Sequence, residues 1–200
     1  MTYSDEYNIC WFTPIRTATR TTNLLLKKLG FKDLDTHSFR LPPERSNYFL
    51  ISNIRNPYSR MISLFSLYCV HKLNFGLNFE KWCEYALNDG QFGYEYQLRY
   101  DLTIKGVGRN FDKFIRIENY SDDLKTLNFI DLSNPEIQEV WENNILKNAY
   151  TFEFEKIQTE EKRTWQDFYN QKIADLVFSK LEDQFNFFDY NRNSWKHGTS

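Results

Sequence analysis

The chain has 200 residues, a formal net charge of −2, and 26% charged and 18% aromatic residues. That length fits one domain, residues 1–200, which buries ~70% of the surface its unfolded chain exposes. A pI of about 6.0 without a long basic stripe argues against nucleic acid as partner, and no apolar run nears the ~18 residues of a membrane-spanning helix.

The charge is unevenly spread. Residues 1–75 hold ten Lys and Arg against five Asp and Glu, a net of +5, so the remainder nets −7. A strongly anionic ligand would be drawn to the basic part, although chance clustering of surface charge fits as well. Cys10, Cys69 and Cys83 are odd in number and lack C-x-x-C spacing. They read as small core residues of a reducing compartment, with neither a disulfide framework nor a zinc site. With no secretory signal pattern, the expected location is cytoplasmic.

Ile9 to Phe12 forms a short apolar run of the buried-strand kind, ended by Pro14. The polar stretch Arg16-Thr17-Ala18-Thr19-Arg20-Thr21 follows. It leads into a leucine-rich helix near 20–29, with Leu25 and Leu29 on one face and Gly30 as a stop signal. A strand-to-helix loop gathers backbone N–H groups at the positive end of the helix dipole, which suits a phosphate. Arg16 and Arg20 add charge, and Thr17, Thr19 and Thr21 add hydroxyl donors. There is no G-x-x-x-x-G-K-[ST], so the loop is not that of ATP- or GTP-hydrolysing enzymes. An ordinary strand-to-helix turn with surface arginines is the competing reading.

A second strand is expected near 34–38, ending about His37, and a third at 48–54. Arg55 stands at the carboxyl end of that third strand, where ligands of open α/β sheets bind. Pro57 suits the first turn of a helix. Met61, Leu64, Phe65, Tyr68 and Cys69 then recur as a core face, with Ser59 and Ser63 on another. Arg55 and Ser63 would grip one phosphate from strand end and helix side; a solvated arginine and two surface serines are the plainer alternative. A helix near 79–87 and a strand near 113–117 follow. Residues 71–110, rich in glycine, are the least regular and are expected to frame an acceptor. The stretch 133–156 gives no clear pattern. Strands alternating with helices imply an α/β fold, a parallel sheet with helices on both faces.

Taken together, these residues resemble the sulfotransferases that use 3′-phosphoadenosine-5′-phosphosulfate (PAPS). In that family a loop P-[KR]-[TS]-[GA]-[ST]-[TR]-[TS] holds the 5′-phosphosulfate, and R-[DN]-P-x-x-R-x-x-S holds the 3′-phosphate. Arg16 to Thr21 resembles the first from its basic residue onward, and Arg55-Asn56-Pro57-Tyr58-Ser59-Arg60-Met61-Ile62-Ser63 resembles the second throughout. Ile15 stands where proline is usual, Arg16 where lysine is commonest and Ala18 where glycine is common. The likeness extends to Glu118-Asn119 with Asp122-Asp123-Leu124, to Gln97-Leu98-Arg99-Tyr100, and to the tail Asp183 to Tyr190. It also takes in Lys162-Arg163-Thr164-Trp165, similar to the basic loop that closes over the nucleotide.

The resemblance implies a P-loop-NTPase-like single domain that binds PAPS and releases adenosine 3′,5′-bisphosphate (PAP). It implies sulfuryl transfer to an acceptor hydroxyl, with a lean towards carbohydrate. The expected nucleotide contacts are Arg16, Thr17, Ala18, Thr19, Arg20, Thr21, Arg55, Ser63, Lys162 and Arg163. Sulfuryl transfer needs fixed donors for the oxygens on which charge builds, here Arg16 and the N–H groups of Thr17 to Thr21. It also needs a base for the acceptor's proton. Of His37, His71 and His197, His37 lies at a strand end between the two motifs, and an imidazole pKa of about 6.5 suits the task. A carboxylate is the alternative base. Arginine's pKa is too high for Arg16 to pass a proton easily. No spaced cluster of metal ligands occurs, so no metal is expected. The other readings are a nucleotide-binding protein of the same fold without transfer activity, and a small kinase-like phosphotransferase.

Overall fold

The computed structural model describes residues 1–33, 41–71, 78–88, 110–141 and 164–198. They fall into two compact units, one of Met1–Arg55 with Tyr100–Asn148 and one of Asn56–Arg99 with Ala149–Ser200. The architecture is α/β.

The first unit is built on a five-stranded sheet. Its strands are β1 (Thr2–Ser4), β2 (Ile9–Phe12), β3 (Lys32–Asp33), β4 (Phe49–Ile54) and β5 (Lys113–Arg116), in the order β3-β1-β2-β4-β5. The parallel sheet expected from the sequence is present only in part. β2 and β4 pair in parallel from Ile9↔Phe49 to Phe12↔Ser52, and β4 and β5 from Ile51↔Lys113 to Ile54↔Arg116. β1 runs antiparallel to both β2 and β3, so the sheet is mixed. The reason is local: only four residues separate β1 from β2, enough for a hairpin and far too few for a parallel crossover. The strand expected near 34–38 lies outside the described residues; β3, Lys32–Asp33, stands just before it.

Period-two alternation divides the buried strand residues between two faces. Ile9, Trp11, Ile51 and Ile115 share one core with helices on that side. α1 (Thr19–Lys28) supplies Leu25 and Leu26, α4 (Tyr120–Lys125) supplies Tyr120 and Leu124, and α5 (Pro135–Trp141) supplies Ile137. Cys10, Phe12 and Leu50 face the other way and pack with Met1 and Phe111. Among the described residues of this unit, α-helices lie on the first face alone. α1 stops where its sequence says it should. Gly30 takes φ 77, and its N–H reaches the Lys27 carbonyl while that of Phe31 reaches Leu26, a two-bond helix ending that favours glycine.

The second unit is helical among its described residues. It contains α2 (Pro57–His71), α3 (Phe79–Asn88), a 3₁₀ turn at Trp165–Phe168 and α6 (Gln171–Phe188). Met61, Leu64 and Phe65 are buried, as the periodicity of α2 requires; the side chains of Tyr68 and Cys69 lie outside the description. Phe65, Phe79 and Trp82 pack ring against ring, as do Tyr58, Tyr169 and Phe185. The Tyr58 hydroxyl donates to the Arg192 carbonyl at 2.8 Å, and Asn56 Nδ2 donates to Ser194 Oγ at 2.8 Å. The chain after α6 is thereby tied to the start of α2. Among the described residues, no helix is long and apolar enough to cross a membrane.

Candidate functional site

The loop Thr13–Ala18 joins β2 to α1, and its shape is set by two left-handed residues. Arg16 has φ 65 and Ala18 has φ 57. For a residue with a Cβ this conformation costs about 1–2 kcal/mol, so it persists only where surrounding bonds enforce it. The enforcing bonds are visible. Thr17 N–H and Thr17 Oγ1 both donate to the Pro14 carbonyl, at 3.2 and 2.6 Å. Thr19 Oγ1 donates to the carbonyls of Pro14 (3.0 Å) and Thr13 (3.3 Å). From β4, Asn53 Nδ2 donates to the Thr17 carbonyl at 2.7 Å.

This geometry revises the expected list of donors. Thr17 is fully buried, and its hydroxyl and N–H are spent on the loop itself. The Thr19 hydroxyl proton is spent likewise. What remains, beside the Thr21 hydroxyl and the arginine side chains, is backbone. The first intrahelical bond of α1 runs from Thr22 N–H to the Ala18 carbonyl. The N–H groups of Ala18, Thr19, Arg20 and Thr21 find no acceptor among the described residues. Ala18 makes no side-chain cap, and the first turn of α1 contains no acidic residue. Successive N–H groups around a left-handed residue, at the positive end of a helix, form a concavity suited to an oxyanion. Arg20 is exposed at its rim. Replacing Ala18 with glycine removes the left-handed strain, partly offset by extra freedom in the unfolded chain. We expect Ala18→Gly to gain about 0.5–1 kcal/mol in urea unfolding; a loss would contradict the conformation assigned to residue 18.

Arg55 joins this loop. β2 and β4 are neighbouring parallel strands, so the loop after Phe12 and the residue after Ile54 leave the sheet at the same end. Arg55 Nη1 donates to the Arg16 carbonyl at 3.4 Å. Arg55, the first residue of the second motif, therefore meets the first motif within the first unit. Ser63 belongs to the second unit, on α2, where it is buried. His37, Lys162, Arg163 and the Gln97–Tyr100 segment lie outside the described residues. His197, in the tail, contacts Asp167 at 2.8 Å, and that contact, ahead of the bonds from Thr164, holds the Asp167 carboxyl below its usual range.

Sequence reasoning missed Asn53. Its side chain is fully buried, and each of its polar atoms is engaged. Oδ1 accepts from Trp11 Nε1 at 2.8 Å, while Nδ2 donates to the Thr17 carbonyl and to Thr22 Oγ1, each at 2.7 Å. Thr22 Oγ1 donates its own proton to the Ala18 carbonyl at 3.0 Å, so the Tyr120 hydroxyl, 2.6 Å away, is the donor of that contact. Burial pushes the Tyr120 hydroxyl far above its ordinary pKa, which keeps it a neutral donor. The one available signal was a polar residue at the fifth position of the apolar run Phe49-Leu-Ile-Ser-Asn-Ile. Compared with protein-family models, with curated proteins and with solved structures, the chain finds no match.

Proposed function

We propose that this protein is a PAPS-dependent O-sulfotransferase that moves a sulfuryl group to an acceptor hydroxyl, on a carbohydrate by the lean of its motifs. The observation that carries the reading is the bond from Arg55 to the Arg16 carbonyl, which brings the first residue of the second motif to the loop of the first. The unpaired N–H groups of Ala18 to Thr21 support a 5′-phosphosulfate at the loop, as does the left-handed Ala18 where the resembled motif commonly has glycine. The parallel β2–β4 pairing supports a P-loop-like arrangement of this part of the sheet. A cytoplasmic, metal-free enzyme belongs to the same reading.

In the proposed reaction the acceptor oxygen attacks sulfur in line. The S–O bond to the 5′-phosphate breaks, PAP leaves, and the acceptor's proton passes to His37 or to a carboxylate. Charge that builds on the bridging and equatorial oxygens meets Arg16 and the N–H groups of the loop.

Thermal denaturation with two nucleotides tests the donor. PAP at about 100 times its Kd should stabilise the fold by ~2.7 kcal/mol, and AMP, lacking the 3′-phosphate, by much less. Equal stabilisation would remove the case for the second motif. Mass spectrometry of a glycan panel incubated with PAPS then tests transfer. PAP binding without any sulfated product would leave a nucleotide-binding protein.

A further inference from the structure

We propose that Asn53 is a positioning residue that presets the loop for an oxyanion by fixing the orientation of one peptide group. The inference rests on the loop being the anion site of the reading above. The argument begins with the peptide between Thr17 and Ala18. A trans peptide is planar, and its C=O and N–H point in opposite directions. Asn53 Nδ2 holds the Thr17 carbonyl inward at 2.7 Å. The Ala18 N–H is therefore turned outward, to the mouth that the N–H groups of Thr19, Arg20 and Thr21 also line. Were this peptide to turn over, a carbonyl oxygen would face the anion and one of four donors would be lost.

Asn53 is suited to this task by its own constraints. Its amide can sit in only one orientation. The Trp11 indole N–H is solely a donor and must meet Oδ1, which leaves Nδ2 for the Thr17 carbonyl and Thr22 Oγ1. Turning the amide over would set oxygen against the Thr17 carbonyl and N–H against N–H at Trp11. The second Nδ2 bond reaches Thr22 Oγ1, which bonds the Ala18 carbonyl at 3.0 Å. The peptide groups on either side of Ala18 are thus both tied, directly or through Thr22, to one buried side chain. A residue needed only to fill the core under α1 would be apolar at this position, as Ile51 is on the same strand. Instead the chain buries an amide whose hydrogen bonds end on the loop.

The test uses the full chain with inorganic pyrophosphate and PAP as probes, followed by calorimetry and by ¹H–¹⁵N NMR. Asn53→Asp removes both amide donors but adds a carboxylate. The neutral Asn53→Ser removes the two-pronged amide without adding charge, and so separates the two effects. Both folded variants should bind both probes at least tenfold more weakly than wild type. In wild type the Ala18 amide resonance should move downfield as either probe binds, a signal that needs no variant to fold. Binding by both variants within twofold of wild type would overturn the proposal, as would a loss confined to Asn53→Asp or a stationary Ala18 resonance. Wild type that binds pyrophosphate but not PAP would remove the sulfotransferase reading and leave the role of Asn53 to the pyrophosphate comparison. Binding of neither probe would overturn both.

Discussion

Replacing His37 with alanine should lower sulfuryl transfer by about 10²–10⁴, the range for losing a positioned general base, while PAP affinity stays nearly unchanged. The separation follows from what each group meets. In the proposed reaction the base takes a proton from the acceptor hydroxyl, whereas the nucleotide phosphates would be held by the loop and Arg55. Loss of binding and turnover together would make His37 structural. Little loss of turnover would move the role to a carboxylate. The pH profile gives an independent reading. A base works only when deprotonated, so the wild-type rate should rise as pH passes through the imidazole range, about 6.5 when unperturbed. That limb should vanish in His37→Ala; an active variant that keeps it would sink the assignment.

Replacing Arg16 with alanine should lower turnover by about 10²–10³, the cost of removing one fixed donor from a site where negative charge develops. Alanine is the informative choice. It keeps a Cβ at φ 65, so the backbone strain is the same, and the carbonyl that accepts from Arg55 remains. The side chain beyond Cβ, the guanidinium with its stem, is lost. Arg16→Lys restores the charge without the planar fork and should recover part of the rate. Turnover within tenfold of wild type in Arg16→Ala, with the same melting temperature, would place the transferred group elsewhere.

Much of the frame was legible because it rests on burial with a period. Ile9–Phe12 and Phe49–Ile54 are apolar runs, and from Ile9 to Phe12 and Leu50 to Ile54 they are strands buried on both faces. The helices expected near 20–29, from Pro57 onward and near 79–87 occur at Thr19–Lys28, Pro57–His71 and Phe79–Asn88. β1 was not legible. Thr2-Tyr3-Ser4 has no apolar pattern, and two of its three residues are buried polar side chains. Their neighbour Asn8, at φ 54, carried a faint turn signal, since asparagine tolerates the left-handed region. At the site, arginines announce themselves by charge in any environment. Hydroxyls do not. Whether Thr17 or Thr19 faces a ligand or its own loop depends on where the Pro14 carbonyl lies, which no local pattern encodes. Asn53 escaped notice for a related reason, because a polar residue in a strand acquires its meaning only from partners distant in sequence, Trp11, Thr17 and Thr22.

That same network has a bearing on how the chain acquires a working loop as it folds. The β1–β2 hairpin closes across four residues and can form early. β2 meets β4 only after a longer closure, and β4 meets β5 across nearly sixty residues more. Each doubling of a closed segment adds only about 0.6 kcal/mol of entropy cost, but pairings of such long range make folding slow. Asn53 arrives with β4, and Tyr120 with the helix after β5. Until both have docked, only the loop's own bonds from Thr17 and Thr19 oppose the strain at Arg16 and Ala18, so the loop settles into its final form among the last events of folding.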